Sequence, residues 1–253
     1  MKNILKTIID RSQRGEKMLG VLIDPDKVSD ASQLTYLINL ANENCVDYFL
    51  LGGSLVTTST QGDIIQAIKR NTSIPVILFP GSAIQIDAQA DGILFLSLIS
   101  GRNPELLIGQ HVLSAPILKN TQLEIIPTGY MLINSGKTTS VAYISNTTPI
   151  PDDKFSLAAC TALAGEMLGL KIMYMDAGSG AEKPINQKMI STVKKAVRTP
   201  LIIGGGIDSP QKAMDAFNAG ADMIVIGNAL EKSPDLLTSI AEKIYENNKR
   251  ASV

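Results

Sequence analysis

Eight short apolar runs, each nearly free of charge, recur along the chain with polar, helix-like segments between them. They occupy residues 18–24, 46–52, 75–79, 92–98, 123–127, 170–176, 200–204 and 222–227. A strand with one face in water alternates apolar and polar residues, whereas unbroken runs belong to strands covered on both faces, as in parallel sheets. Such strands alternating with helices are repeated βαβ units. The chain has 253 residues, and eight such units close into a (β/α)8 barrel of about 250 residues. The expectation is an α/β chain forming one (β/α)8 TIM barrel domain over residues 1–253, with no linker or low-complexity segment dividing it.

Several helices carry their own signals. Ser29 or Asp30 can cap a helix whose apolar stripe is Leu34, Leu37, Ile38 and Ala41. A second covers 60–70 with Ile64, Ile65 and Ile68 inward, and a third covers 153–168. Pro184 suits the first turn of a helix running to Val197. Ser209 and Pro210 start another that ends at Gly220, and the last spans about 234–247. Two places break the pattern. Residues 82–91 are too short for a strong helix and alternate polar with apolar, so an extended segment is expected where the third helix should be. Residues 128–151 form a long polar connection after the fifth strand, a length usually tied to function or mobility.

Composition removes several classes of function. A formal net charge of -1 gives no bulk attraction to nucleic acid or an anionic membrane. Cys45 and Cys160 lie in apolar stretches and read as reduced core residues. The N-terminus alternates charge with short apolar runs, unlike a signal peptide, and no stretch approaches the ~18 apolar residues of a membrane span. The chain is expected to be cytoplasmic and not membrane-spanning, with peripheral membrane contact left open.

In this fold chemistry sits at the C-terminal strand ends. Strands six, seven and eight end in glycine-rich turns: Gly178, Ser179 and Gly180; Gly204, Gly205 and Gly206; Gly227 and Asn228. Glycine lets the backbone approach a ligand closely, and successive amides in such turns attract anions. One such cluster could be only a tight turn; three on successive strands point to a phosphate cradle. Across the rim, Asp24 and Ser54 offer hard oxygens suited to Mg2+, which binds through one or two carboxylates plus water and substrate phosphate. Asp26 reads instead as the cap of the next helix. Tyr174 and Asp176 are two apart on one strand and so share a face. There Asp176 could take a proton from a substrate hydroxyl while Tyr174 donates a hydrogen bond, or the two could form a buried structural pair. His111 is the only histidine and reads as surface or second-layer, which disfavours a Ser–His–Asp hydrolase and a multi-histidine zinc site. Arg102 follows strand four and could reach a second phosphate or lie in solvent.

The motifs LIDPDK, LLGGS, SGRNPE with IGQH, PTGY, YMDAGSG, GGGI and VIGNAL stand in this order between about residues 18 and 230. Together they resemble the geranylgeranylglyceryl phosphate synthase family, in a form closer to archaeal-type synthases that also occur in some bacteria. The resemblance implies transfer of a geranylgeranyl or similar long prenyl group from its diphosphate to the 3-hydroxyl of sn-glycerol 1-phosphate, an ether-lipid precursor step. It implies Mg2+ on Asp24 and Ser54, and a glycerol phosphate site at Tyr174, Met175, Asp176, Ala177, Gly178, Ser179, Gly180, Gly205, Gly206, Gly227 and Asn228. It also implies an absent third helix and a homo-oligomer, dimer or hexamer. One departure is Asp176, where the family often carries glutamate, so its role as direct base is left open. Arg102 is the candidate for the prenyl diphosphate, and Ile84, Ile86, Leu98 and Ile99 for the apolar groove that must hold the tail.

Two other readings compete. One is another phosphate-handling barrel enzyme, an isomerase or lyase, although no lysine lies inside a strand core to form a Schiff base. The other is a non-catalytic binder of a phosphorylated ligand, against which Asp24, Ser54, Tyr174 and Asp176 together argue.

Overall fold

The structure is a computed structural model that describes residues 3–28 and 30–251, the side chains as far as residue 249. Eight parallel strands close into a barrel in sequential order: β1 (Met18–Ile23), β2 (Tyr48–Leu51), β3 (Val76–Leu78), β4 (Gly92–Leu98), β5 (Glu124–Leu132), β6 (Ile172–Asp176), β7 (Leu201–Gly204) and β8 (Met223–Ile226), with β8 pairing back onto β1. Because side chains alternate along a strand, each buried run serves two cores. One row, including Leu50, Ile77, Leu94, Ile126, Ile172, Ile202 and Val225, fills the barrel interior. The opposite row, including Val21, Phe49, Leu51, Met173, Met175 and Ile203, packs against the helices. That double burial is why the runs carry no alternation.

Helix α1 (Ile4–Gln13) contributes Ile4 and Ile8 to the interior core, at the N-terminal end of the barrel. The Glu124 carboxylate at the start of β5 holds it there, accepting from the Ile4 and Leu5 amides at 2.6 and 2.8 Å. The outer helices are α2 (Ala31–Glu43), α3 (Gln61–Asn71), α4 (Gln110–Leu118), α5 (Ser140–Ser145), α6 (Phe155–Met167), α7 (Gln187–Ala196), α8 (Pro210–Asn218), α9 (Asn228–Lys232) and α10 (Leu236–Ala251). Asp30 caps α2 through the Ser32 amide and Ser209 caps α8 through that of Lys212; the alternative cap Ser29 lies outside the described residues. Between β3 and β4 a 3-10 turn, Ala83–Gln85, stands in place of a helix; the α-helix is absent as expected, but the segment turns rather than running extended.

Several expectations are corrected. β5 does not stop at Pro127 but continues to Leu132, so the first residues of the expected loop are strand. Pro127 lacks an amide hydrogen, yet its carbonyl still accepts from Lys171, and the ladder continues past it. Pro184 lies before α7, which starts at Gln187 with Asn186 as its cap. The segment after Pro104 opens as a π turn, Glu105–Gly109, before α4. The last helix is shifted towards the C-terminus. Both cysteines are exposed rather than in the core: Cys45 has φ 51 in the turn after α2, and Cys160 is on a solvent-facing position of α6. Among the described residues no helix is long and apolar enough to cross a membrane.

Candidate active site

A cleft of about 1010 Å3 opens at the C-terminal ends of the strands. On one side its wall is backbone. Gly178, Gly180, Gly205 and Gly206 all have positive φ, between 70 and 87°, and all four line the cleft with Ser179, Gly227 and Asn228. Gly205 shows why no side chain is tolerated: a Cβ there would sit 2.8 Å from the Gly178 nitrogen and 2.9 Å from Asp176 Oδ1. This packs the turn after β7 onto the turn after β6. The Lys137 ammonium and the Asn228 amide both lie near Gly180, 3.8 and 3.9 Å from where its Cβ would be. Bare backbone with a cation beside it is suited to an anion such as phosphate.

The floor is aromatic. Phe79, Tyr130 and Tyr174 project into the barrel and contact one another, with ring centroids 5.1 to 5.6 Å apart. Above them Asp176, only 9% exposed, is held at both oxygens. Tyr130 donates to Oδ2 at 2.5 Å and the Gly178 amide donates to Oδ1 at 2.7 Å. Burial pushes the Asp176 carboxyl above its ordinary value, opposed by those two hydrogen bonds. Burial and the neighbouring carboxylate push both phenols well above theirs, so they stay protonated donors. A desolvated carboxylate with a raised pKa is a better proton acceptor than a solvated one.

The opposite wall holds Asp24 and Ser54. Asp24 Oδ1 accepts from the Asp26 amide at 3.1 Å, Oδ2 lies 3.7 Å from Lys27 Nζ, and a Cβ on Gly53 would come within 3.5 Å of the carboxylate. Among the described residues no three His, Cys, Asp or Glu side chains cluster as a metal cage. A carboxylate and a hydroxyl at a phosphate cleft are nonetheless the donor set that suits Mg2+, which retains waters and shares substrate oxygens. Lys27 also spans the rim, donating to Asn228 Oδ1 at 3.2 Å and Glu231 at 3.1 Å, while Ser179 donates to the same Asn228 oxygen at 3.0 Å. An apolar groove of about 190 Å3 adjoins the cleft beside the missing helix, sharing Ser54, Leu96, Tyr130 and Ile144 with it and adding Ile86, Leu98 and Leu106.

Most expected residues therefore meet in one place, with stated exceptions. The side chains of Met175 and Ala177 point away, into the layer between barrel and helices. Arg102 does not line the cleft; its guanidinium donates to the Gly101 carbonyl at 2.7 Å. Ile86 and Leu98 line the groove, but Ile84 is 88% exposed and Ile99 packs near Gly129 and Gly165, between β5 and α6. Asp26 caps no helix; it binds Thr57 and Thr58. His111 is half-buried at the groove, edge-on to Phe95 with centroids 4.4 Å apart. Tyr130, Lys27 and Lys137 went unassigned in the sequence. Alternation through Ile126, Thr128, Tyr130 and Leu132 was the available signal for Tyr130.

The closed barrel and its glycine-lined rim define a TIM-barrel protein whose cleft sets bare backbone opposite a buried, hydrogen-bonded carboxylate. Comparison with known proteins narrows this. The PcrB family model matches residues 13–245, and the chain belongs to that family. Geranylgeranylglyceryl phosphate synthase of Spirosoma linguale is 55% identical over 239 residues, covering 94% of this chain and 96% of the relative. The protein of the same name from Thermococcus kodakarensis is 40% identical over 249 residues, covering 97% and 96%. In structure, (S)-3-O-geranylgeranylglyceryl phosphate synthase from Thermoplasma acidophilum, solved in complex with its substrate sn-glycerol-1-phosphate, is similar with a TM-score of 0.90 and 33% identity, covering 97% of this chain and all of that one. The family resemblance carried by LIDPDK, LLGGS and YMDAGSG is borne out.

Proposed function

We propose that the chain is a prenyltransferase that joins a geranylgeranyl or similar long prenyl group, from its diphosphate, to the 3-hydroxyl of sn-glycerol 1-phosphate. The observation that carries this reading is the likeness, along nearly the whole chain, to a synthase holding sn-glycerol-1-phosphate, joined to a cleft with three matching surfaces. The glycine turns of β6, β7 and β8 bind the glycerol phosphate. Asp24 and Ser54 face them, where a second, diphosphate group is held. The apolar groove takes the start of the hydrocarbon tail, whose burial is worth about 0.8 kcal/mol per CH2.

In the reaction the glycerol C3 oxygen bonds to prenyl C1 as the C1–oxygen bond to diphosphate breaks, and the hydroxyl proton leaves. Asp176 accepts that proton. Tyr130 and the Gly178 amide fix the orientation of its carboxylate, and burial makes it more basic. The glycine amides hold the acceptor phosphate so that its hydroxyl is presented to the donor, and this positioning supplies much of the acceleration. Phe79, Tyr130 and Tyr174 give the cleft an apolar, mutually packed floor beside Asp176. Asp24 and Ser54 would hold Mg2+, which would supply positive charge to offset the negative charge developing on the diphosphate leaving group.

Val112, Leu113 and Ile117, which α4 leaves in solvent, support a homo-oligomer. The test of the function is direct: purified protein with Mg2+, geranylgeranyl diphosphate and sn-glycerol 1-phosphate forms the ether phosphate, and EDTA stops it. No product under these conditions, with a range of prenyl diphosphates, contradicts the reading.

A further inference from the structure

Ser54 stands at the start of a loop, residues 53–60, that has no regular structure of its own before α3. Two side chains from neighbouring loops hold it. From the β3 side, buried Gln85 donates to the Gly53 carbonyl at 3.3 Å and accepts from the Gly81 amide at 3.0 Å. The Gln61 side chain returns the contact, donating to the Gln85 carbonyl at 2.8 Å. The segment replacing the third helix is thus packed onto the Ser54 loop through Gln85.

From the β1 side the contact is denser. Both oxygens of Asp26 accept from the Thr57 amide, at 3.0 and 2.9 Å, and Oδ1 also accepts from the Thr58 amide at 3.0 Å. The Thr57 and Thr58 hydroxyls each donate at 2.9 Å. One carboxylate therefore fixes two successive residues three and four positions beyond Ser54. Its own amide donates to Asp24 Oδ1 at 3.1 Å, so a single residue ties the Asp24 carboxylate to the Ser54 loop. No regular element couples the two loops at this point; the β1–β2 pairing ends at Ile23 and Leu51. An exposed carboxylate making this many bonds to a loop remote in sequence has a positioning geometry rather than that of a solvated surface charge.

We infer that Asp26 is a positioning residue that locks the Ser54 loop against the β1 loop and so presets the Asp24–Ser54 wall for the diphosphate substrate, an inference that rests on the prenyltransferase reading for the identity of that substrate. Losing the lock frees the loop in the empty protein and weakens donor binding, while the glycine cradle on the other side of the cleft is untouched.

The test compares wild type, Asp26→Ala and Asp26→Asn. Hydrogen exchange in the protein without metal or substrate reads the lock itself, independently of any activity. Exchange across residues 53–60 should rise in Asp26→Ala and rise less in Asp26→Asn, which keeps one acceptor oxygen. With Mg2+, the KM for geranylgeranyl diphosphate should rise about tenfold in Asp26→Ala, in line with the cost of loosening a preorganised group. The KM for sn-glycerol 1-phosphate and the melting temperature should stay at wild-type values. Unchanged exchange in the loop would overturn the inference, as would an equal rise in both KM values. A fall in melting temperature of many degrees would assign Asp26 to fold stability instead. If wild type shows no transfer at all, the function fails while the exchange result still decides the lock.

Discussion

The Tyr130 hydroxyl on β5 donates to Asp176 Oδ2 on β6 at 2.5 Å, linking adjacent strands inside the barrel at the floor of the cleft. Tyr130 stabilises the charged form of Asp176 and so lowers a pKa that burial raises. Removing the phenol therefore moves that pKa further up. Tyr130→Phe should shift the acid limb of the kcat/KM profile to higher pH and lower the plateau by about 10- to 100-fold, since a hydrogen bond to a charged group contributes roughly 1.5–3 kcal/mol. A pH–rate series on both proteins checks this; an acid limb moving to lower pH contradicts it.

Asp176→Asn should reduce kcat by about 10^2- to 10^4-fold, the usual scale for loss of a general base, with sn-glycerol 1-phosphate binding retained by calorimetry. The stability consequence has a definite sign. Because the folded carboxyl has a raised pKa, the folded protein binds the proton more readily than the unfolded chain, and stability declines as pH rises from the ordinary carboxylate value through the raised one. Asp176→Asn does not titrate. Its melting temperature should gain on wild type towards neutral pH, and the gain should shrink as pH falls through the raised pKa.

Gly205→Ala should be costly at the acceptor side. The position has φ 81, which costs a non-glycine residue about 1–2 kcal/mol. The new methyl also meets Gly178 and Asp176 Oδ1 at under 3 Å. The KM for sn-glycerol 1-phosphate should rise by tenfold or more, with a smaller change for the prenyl donor, as steady-state kinetics with each substrate varied would show.

At the opposite end of the barrel, buried Asp222 accepts from Lys194 at 2.6 Å and from the Leu201 amide at 2.8 Å. Asp222→Ala leaves the buried Leu201 amide without its acceptor and the partly exposed Lys194 without its partner, and should destabilise the fold by about 1–3 kcal/mol. Activity per folded molecule should stay near wild type, a contrast that chemical denaturation combined with active-site titration can measure.

The barrel was legible because double burial erases alternation, and the three glycine turns were legible because their backbone demands a residue without Cβ. Tyr130 was hidden because the apolar run ends at Pro127 and the polar residues after it belong to the expected connection, although β5 continues to Leu132. Lys27 and Asp26 sit in a visible motif, but their partners, Asn228 and Thr57, are 201 and 31 residues away, and no local pattern reports such a contact. In sequence, Arg102 offers only its charge and its place after β4. Its guanidinium turns to backbone carbonyls of its own loop, a choice that only the folded turn decides.

The most direct test of the central claim is mass spectrometry, with chiral analysis, of the product formed from a mixture of prenyl diphosphates and both enantiomers of glycerol phosphate in the presence of Mg2+. A single ether built from a long prenyl group on sn-glycerol 1-phosphate is the predicted result. Product from sn-glycerol 3-phosphate alone, or rearrangement of the glycerol phosphate without any prenyl transfer, would contradict it.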